Sequence, residues 1–188
     1  LCSYDQANAN ALLGVTRARD AGFDMCFFNL HKTFGSPHGS SGPAVGAVGV
    51  TAELEKFLPI PMIVKNGNRY HLDYDRPHSI GKVRDFMGNL QVVLRAYAWA
   101  MSMGAEGLRE VAEISMINNQ YLEKKLLAIP GVTKPYEGRR LDQIRYSLEK
   151  MKNKTGVGTE DADCRFVDYG VQSYFTSHHP WIVPEPFT

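Results

Sequence analysis

The stretch FFNLHKTFGSPHGSSGPAVGAVGV, residues 27–50, joins two apolar segments through a basic pair and a loop rich in glycine, serine and proline. Short apolar runs bounded by turn residues are typical of buried strands, so segments 23–30 and 44–50 are predicted as strands. Small residues in the second segment allow another backbone to approach closely. The sequence therefore places His31 and Lys32 at the end of a strand, directly before a flexible loop.

The composition indicates an ordinary globular protein, with 44% hydrophobic and 22% charged residues in a chain of 188. This length fits one domain or slightly more, and it can bury a core without disulfides or metals. The net charge of +1 does not favour nucleic acid or a membrane surface as a partner. No apolar run approaches transmembrane length, and no signal peptide is recognised. The odd number of widely spaced cysteines favours a reducing compartment: Cys2, Cys26 and Cys164.

Strands alternate with helical segments along the chain, which indicates an α/β fold. Apolar spacing and capping residues predict helices over residues 7–21, 51–58, 88–104, 105–128, 141–154 and 159–169, with Thr159 as an N-cap. The segment 88–104 is apolar almost all round, so we expect that helix to be buried. A break near residues 129–135 predicts a boundary between a main layer, residues 1–129, and a smaller unit, residues 130–188.

Lys32 is the first candidate for chemistry, because a lysine at the end of a buried strand is suited to forming a Schiff base. An ordinary loop lysine is the alternative. Asp5 changes the balance, since a pyridoxal phosphate site needs an aspartate to keep the ring nitrogen protonated. In an α/β sheet, 27 positions can bring the ends of two strands side by side. The alternative for Asp5 is an N-cap of the helix predicted at 7–21.

Three neighbours of these residues fit the same chemistry. Ala7 is small enough to let a flat ring lie against the strand. The hydroxyl of Thr33 is able to bind a cofactor phosphate or to orient the lysine amine. His31 is suited to proton transfer or to contact with a substrate carboxylate, and a purely structural role is an equal alternative.

The loop at residues 35–43 exposes backbone N–H groups that can cradle an anion, although such loops are often simple turns. It lacks the Walker pattern of a nucleotide loop. His38 within it is a candidate substrate contact. We predict no metal site, because His31 and His38 lack a third ligand. His178 and His179 are adjacent in a segment expected to be extended, where neighbours point to opposite faces, so their roles stay open.

Two segments together resemble a known family. YDQANANALLG, residues 4–14, and NLHKTFGSPHGSSGPAVGAVGV, residues 29–50, are similar to the cofactor region of glycine dehydrogenase (decarboxylating), the P-protein of the glycine cleavage system. The family pattern is similar to D-G-A-N-x-N-A followed by N-L-H-K-T-F-x-x-P-H-G-G-G-G-P. Residues 88–122 and 155–170 also resemble family segments, and the order of pieces is similar to subunit 2 of the two-chain form.

The resemblance implies an α/β enzyme of fold-type I that depends on pyridoxal 5'-phosphate. Residues 1–129 would be the C-terminal part of the large cofactor-binding domain, and residues 130–188 part of the small α+β domain. Lys32 would hold the cofactor covalently, and Asp5 would pair with its pyridine nitrogen. Cofactor-site and channel positions also carry over by motif: Ala7, His31, Thr33, His38, Gly39, Ser40, Ser41 and Gly42.

The implied reaction is decarboxylation of glycine, followed by transfer of the aminomethyl group to the lipoyl arm of H-protein. The implied assembly is a dimer or heterotetramer with a companion P-protein subunit in the bacterial cytoplasm, without nucleic acid or membrane partners. Another fold-type I lyase or transferase, or a non-catalytic partner subunit, are the alternatives. An enzyme is favoured because Asp5, Lys32 and Thr33 are all present.

The sequence departs from the family pattern in three respects, of which one is the C-terminal segment 174–188. Ser40 and Ser41 replace two glycines of the four-glycine run. The ring-stacking histidine and the phosphate ligands that the family supplies before Asp5 have no counterpart here. Both ends of the sequence look cut, so we expect a fragment that is inactive in isolation.

Overall fold

The computed structural model describes residues 1–85, 87–171 and 182–188. The chain divides into two compact units, Leu1–Ala112 and Glu113–Thr188. This division falls inside a helix, and the boundary predicted at residue 129 remains a prediction about the domains of the complete protein. The elements are β1 (Ser3–Asp5), β2 (Met25–Asn29), β3 (Gly46–Val50), β4 (Met62–Asn66), β5 (Arg69–Asp73), α1 (Leu90–Leu126), β6 (Tyr146–Ser147), α2 (Glu149–Thr155), α3 (Thr159–Asp168) and β7 (Pro186–Phe187).

The first unit contains a three-stranded sheet in the order β1-β2-β3. Strands β1 and β2 are parallel, with Asp5 opposite Phe27, and β3 is antiparallel to β2. Both predicted strands are therefore confirmed. The expected close approach is also present, because a Cβ at Gly46 would lie 3.0 Å from the Phe28 carbonyl oxygen. Their predicted burial is wrong for this chain: β2 is half-buried and β3 is mostly exposed, since β3 has one paired edge in this sheet.

The helix predicted over residues 7–21 is wrong, because this segment forms a succession of turns. Side chains compete with the backbone for its hydrogen bonds at the start of the segment. The Ala7 N–H donates to Asp5 Oδ1 at 3.0 Å, and the Asn10 N–H donates to Asn8 Oδ1 at 3.4 Å. The short helix predicted at 51–58 is reduced to one 3₁₀ turn, Glu55–Phe57.

The hairpin formed by β4 and β5 has no counterpart among the sequence predictions. The two strands pair from Met62–Asp73 to Asn66–Arg69, which leaves a two-residue loop. Gly67 has a φ of +60°, which suits the first position of such a loop. The signal was present in the sequence, because an apolar run is followed here by the loop dipeptide Gly67-Asn68.

The long helix α1 covers both helices predicted between residues 88 and 128, and Gly104 (φ 63°, ψ −176°) interrupts it where the sequence predicts a break. The expected burial of its first half is wrong. Val92 and Ala96 are buried, whereas more than half of the surface is exposed on Leu90, Leu94, Tyr97 and Met101. Among the described residues, no helix is both long and apolar enough to cross a membrane.

The second unit has a small apolar core. Its buried members are Val132, Ile144, Tyr146 and Leu148, and Leu126, Met151, Ala162 and Phe187 pack against them. The helix predicted at 141–154 begins only at Glu149, because the preceding residues pair with β7. The N-cap of α3 is Gly158 and not Thr159. His178 and His179 lie outside the described residues.

Candidate functional site

The carboxyl ends of β1 and β2 bring Asp5 and Lys32 to one edge of the sheet. Asp5 is the last residue of β1, and Lys32 follows β2 by three residues. Parallel strands that are neighbours in a sheet end on the same side, which is where α/β folds bind ligands. The sequence spacing predicted that the two strand ends would lie side by side, and β1 and β2 do pair in this way. The helix that was expected between them is absent.

Asp5 is not the N-cap of a helix, which removes the structural alternative considered from sequence. Its Oδ1 atom accepts the Ala7 N–H at 3.0 Å, as in an Asx turn. The residue is exposed, and an ionised carboxylate has further acceptor positions beyond this one bond. The turn fixes the carboxylate and places Ala7 directly beside it.

Lys32 is half-buried and lies in a tight turn. Its N–H donates to the Asn29 carbonyl at 3.1 Å, and its carbonyl accepts the Gly35 N–H at 3.2 Å. Aromatic packing stabilises this turn, since the Phe34 ring makes edge contacts with Phe28 and Trp99 at 6.0 Å between centroids. The turn therefore holds the lysine backbone on a packed support.

Thr33 is buried, with 9% of its surface exposed. Its Oγ1 accepts the Ala9 N–H at 2.9 Å and donates to Asn8 Oδ1 at 3.3 Å. These bonds connect the loop that carries Lys32 with the loop that follows β1. The predicted contact between Thr33 and a cofactor phosphate remains a prediction.

His31 is held by the backbone of Val45. The Val45 carbonyl and N–H lie 3.1 Å and 3.3 Å from His31 Nδ1, so one of these bonds forms in each protonation state of that nitrogen. The His31 and His38 rings are in contact, with centroids 4.9 Å apart. Among the described residues, no group of three His, Cys, Asp or Glu side chains is arranged to hold a metal ion.

The loop predicted as a channel wall has a left-handed backbone at two successive positions. Gly39 and Ser40 each have a φ of +52°, whereas Gly42 has an ordinary φ of −60°. A Cβ at Gly39 would lie 2.5 Å from Pro43 Cγ. The Asn89 amide donates to the Gly42 carbonyl at 3.0 Å and holds the loop to the start of α1. The side chain of Ser41 lies outside the described structure.

Sequence reasoning missed three side chains that organise this region: Asn8, Ser36 and Asn89. Asn8 binds Thr33, and the Ser36 hydroxyl donates to the Val92 carbonyl at 3.1 Å. Asn8 stands inside the quoted segment YDQANANALLG, so its position was visible as part of a motif. Nothing local in the sequence marks Ser36 or Asn89, because their partners are 56 and 47 residues away.

A cavity of about 380 Å³ lies elsewhere in the first unit. Gln6, Cys26 and Phe28 line it, together with residues of the turns at 12–19, whereas Asp5 and Lys32 do not. Its position does not coincide with the candidate site.

No protein-family model matches the sequence. Curated relatives named probable glycine dehydrogenase (decarboxylating) subunit 2 match nearly all of it. The identity is 44% over 187 residues in Pyrococcus abyssi, covering 98% of this chain and 37% of the relative. It is 43% over 187 residues in Thermosipho africanus (100% and 38%) and 46% over 167 residues in Halalkalibacterium halodurans (89% and 34%). The chain thus spans little more than a third of these relatives.

Solved structures of two enzymes have a fold similar to that of this chain. Glycine decarboxylase (P-protein) of the glycine cleavage system, in inhibitor-bound form, has a TM-score of 0.72 at 20% identity, over 93% of this chain and 40% of that one. A C-DES mutant with glycine covalently linked to its PLP cofactor has a TM-score of 0.61 at 11% identity, over 92% and 43%.

The fold is therefore that of part of a fold-type I pyridoxal-phosphate enzyme, as the sequence predicts. Within that class, the chain is a homologue of glycine dehydrogenase (decarboxylating) subunit 2 and matches little more than a third of that subunit. The family indicated by the motifs around Asp5 and Lys32 is confirmed.

Proposed function

We propose that this chain is part of a pyridoxal-phosphate-dependent subunit that decarboxylates glycine and passes the aminomethyl group to the lipoyl arm of H-protein. The observation that carries the proposal is the placement of Asp5 and Lys32 at the carboxyl ends of two adjacent parallel strands. The homology to glycine dehydrogenase (decarboxylating) subunit 2 supports the same activity.

The residues at this edge of the sheet fit the cofactor. The Asp5 residue is exposed, and the Ala7 N–H fixes its carboxylate through a hydrogen bond. The carboxylate is therefore able to accept a hydrogen bond from a protonated ring nitrogen. Ala7 presents only a methyl group beside it, which leaves room for a flat ring. Lys32, half-buried on its aromatic support, would hold the cofactor covalently through its amine. When bound, pyridoxal phosphate supplies the electron sink that stabilises negative charge on the substrate carbon.

His31 and His38 would act on the substrate side of this site. Anchoring of His31 through Nδ1 leaves its Nε2 as the nitrogen for a proton or a substrate carboxylate. His38 is exposed and contacts the His31 ring, so both histidines belong to the same corner of the loop. The segment 39–42 would form a wall of the substrate channel. Its backbone is left-handed at Gly39 and Ser40, and the Gly42 N–H donates to the Gly39 carbonyl at 3.2 Å, which closes the turn.

The complete assembly would include a companion subunit, since the relatives are named as subunit 2 of their enzyme. Glycine and lipoylated H-protein would be its substrates, and a dimer or heterotetramer in the bacterial cytoplasm its working form. Cofactor ligands that this chain lacks would come from the rest of the protein. We therefore expect the isolated chain to bind pyridoxal phosphate weakly and to be inactive.

The test uses the complete subunit together with its companion. Added pyridoxal phosphate should produce a visible absorption band, and borohydride should then attach the cofactor irreversibly to Lys32. Lys32→Ala should lose both signals while keeping its far-ultraviolet circular dichroism spectrum. Absence of the band in the wild-type protein would overturn the proposal.

A second measurement separates glycine decarboxylation from another reaction of the same fold. Labelled carbon dioxide should exchange into the carboxyl group of glycine only when lipoylated H-protein is present. A lysine-bound cofactor without this exchange would favour a different lyase or transferase. A non-catalytic partner subunit would show neither signal.

A further inference from the structure

The loops that carry Asp5 and Lys32 are joined beyond the ends of their strands. Backbone bonds continue the parallel ladder past β1: the Gln6 N–H donates to Phe27 and the Asn29 N–H donates to Ala7, at 3.1 and 3.2 Å. The chains then separate into two loops. Thr33 bridges them there through its bonds to Ala9 and Asn8 (at 2.9 and 3.3 Å).

This bridge lies inside the protein. Thr33 is 9% exposed and Ala9 is fully buried, so water cannot replace a lost bond at the Ala9 N–H without rearrangement. Thr33 directly follows Lys32 in the chain. Any displacement of its side chain therefore moves the backbone that aims the lysine relative to the Asp5 loop.

The hydrogen-bonding capacity of the Thr33 hydroxyl decides between two roles. A hydroxyl has one hydrogen to donate, and here Asn8 Oδ1 accepts it. A phosphate group offers oxygen acceptors, so it would need that same hydrogen. Binding a phosphate would therefore break the bond to Asn8.

We propose that Thr33 is a positioning residue, which together with Asn8 sets the Lys32 loop at a fixed distance from the Asp5 loop, and that it is not a ligand of the cofactor phosphate. This inference rests on the proposed function, because it assigns to the bridge the task of aligning the two cofactor anchors.

The first test compares pyridoxal phosphate with pyridoxal, which lacks the phosphate, as ligands of the complete cofactor-free protein. Thr33→Val removes the hydroxyl and keeps the shape. It should weaken the binding of both ligands by about the same factor, roughly tenfold, because the misplaced group is the lysine. Thr33→Ser should restore wild-type binding. A loss confined to pyridoxal phosphate would show that Thr33 is a phosphate ligand and would overturn the inference.

A double-mutant cycle with Asn8 gives a second test of the bridge. Asn8→Ala should weaken pyridoxal binding by several-fold, and the double variant should lose less than the product of the two single effects, because both act on one bridge. Effects that multiply would contradict the inference.

Ser36 supplies the matched control. Its hydroxyl is buried in the same loop, with 6% of the residue exposed, but it donates to Val92 in α1 and not to the Asp5 loop. Ser36→Ala should lower stability as Thr33→Val does, yet leave the dissociation constant of pyridoxal within about twofold. An equal loss of pyridoxal affinity in both variants would show a general loosening of the loop and would overturn the inference.

A readout without cofactor separates this inference from the proposed function. Hydrogen exchange of the Ala9 amide should accelerate by about tenfold in Thr33→Val and stay slow in Thr33→Ser. Unchanged exchange would overturn the bridge itself. If the wild-type protein never attaches the cofactor to Lys32, the proposed function fails and the positioning role fails with it. If it does attach, a failed pyridoxal comparison rejects only this inference.

Discussion

The loop around Lys32 and the core of the second unit are stabilised in different ways. Side chains of Thr33, Ser36 and Asn89 hold the loop by hydrogen bonds to distant backbone groups. The second unit instead packs apolar side chains around Ile144 and Tyr146. Hydrogen bonds fix direction, whereas apolar burial supplies non-directional stability. The comparison indicates that substitutions in the core should change stability alone, whereas loss of the Thr33 bonds to the Asp5 loop should also change the geometry of the site.

The largest effect is expected in the second unit. Ile144 is 3% exposed, so Ile144→Ala should remove about 2–5 kcal/mol from the free energy of unfolding, measured with urea on the complete protein. Leu141, with 46% of its surface exposed, is the control, and Leu141→Ala should cost less than about 1 kcal/mol. Equal losses in the two variants would contradict the assignment of the core.

The glycine loop offers a matched pair with a smaller effect. Gly39→Ala should cost about 1–3 kcal/mol, because its φ is +52° and the new Cβ would meet the Pro43 ring. Gly42→Ala should be nearly neutral, since Gly42 has an ordinary φ of −60° and its new Cβ would lie 3.5 Å from its nearest neighbour. Pyridoxal phosphate affinity and urea unfolding would be measured together, and a neutral Gly39→Ala would disprove the left-handed turn.

Ser40 departs from the family pattern at the second left-handed position of the loop. In the folded state, a side chain at this position costs about 1 kcal/mol relative to glycine. Glycine offsets part of this advantage, because it loses more backbone entropy on folding. Ser40→Gly should therefore stabilise the protein by roughly 0.5 kcal/mol in urea unfolding. A destabilised Ser40→Gly variant would mean that the hydroxyl has a function that compensates for the strain.

The smallest effect concerns a charged group at the edge of the second core. The ion pair with Lys152, and then the Thr159 N–H at 2.8 Å, hold the pKa of Glu185 below its ordinary value of 4.5. A carboxyl group with a lowered folded pKa stabilises the fold above its unfolded pKa, and this contribution is lost as the pH falls through the folded pKa.

Urea unfolding between about pH 7 and pH 3 should therefore show a loss of stability below about pH 4.5, and Glu185→Gln should flatten it. The change should be modest, because half of the Lys152 side chain is exposed and solvent screens the pair. If stability fell equally at low pH in wild type and Glu185→Gln, the pair would not be the source of this pH dependence.

Local patterns predicted strands β2 and β3 and the long helix well, and predicted burial poorly. Leu94 and Tyr97 are apolar but exposed, because a helix buries its apolar surface only where another element packs against it. The turns at residues 7–21 were mistaken for a helix, since alanine favours helices while Asp5 and Asn8 bind nearby backbone groups. The β4–β5 hairpin carried a readable turn signal that the sequence predictions did not use.

The sequence by itself determined the family and predicted two candidate cofactor anchors, because Asp5 and Lys32 stand in motifs whose residue types suit one cofactor chemistry. The tertiary structure decided how those anchors are held. Thr33 bonds to residues 24 and 25 positions away, and such partners are brought together only when the parallel strands pair. Local sequence encodes backbone preference and residue chemistry, whereas contacts between distant loops depend on the packing of the whole sheet.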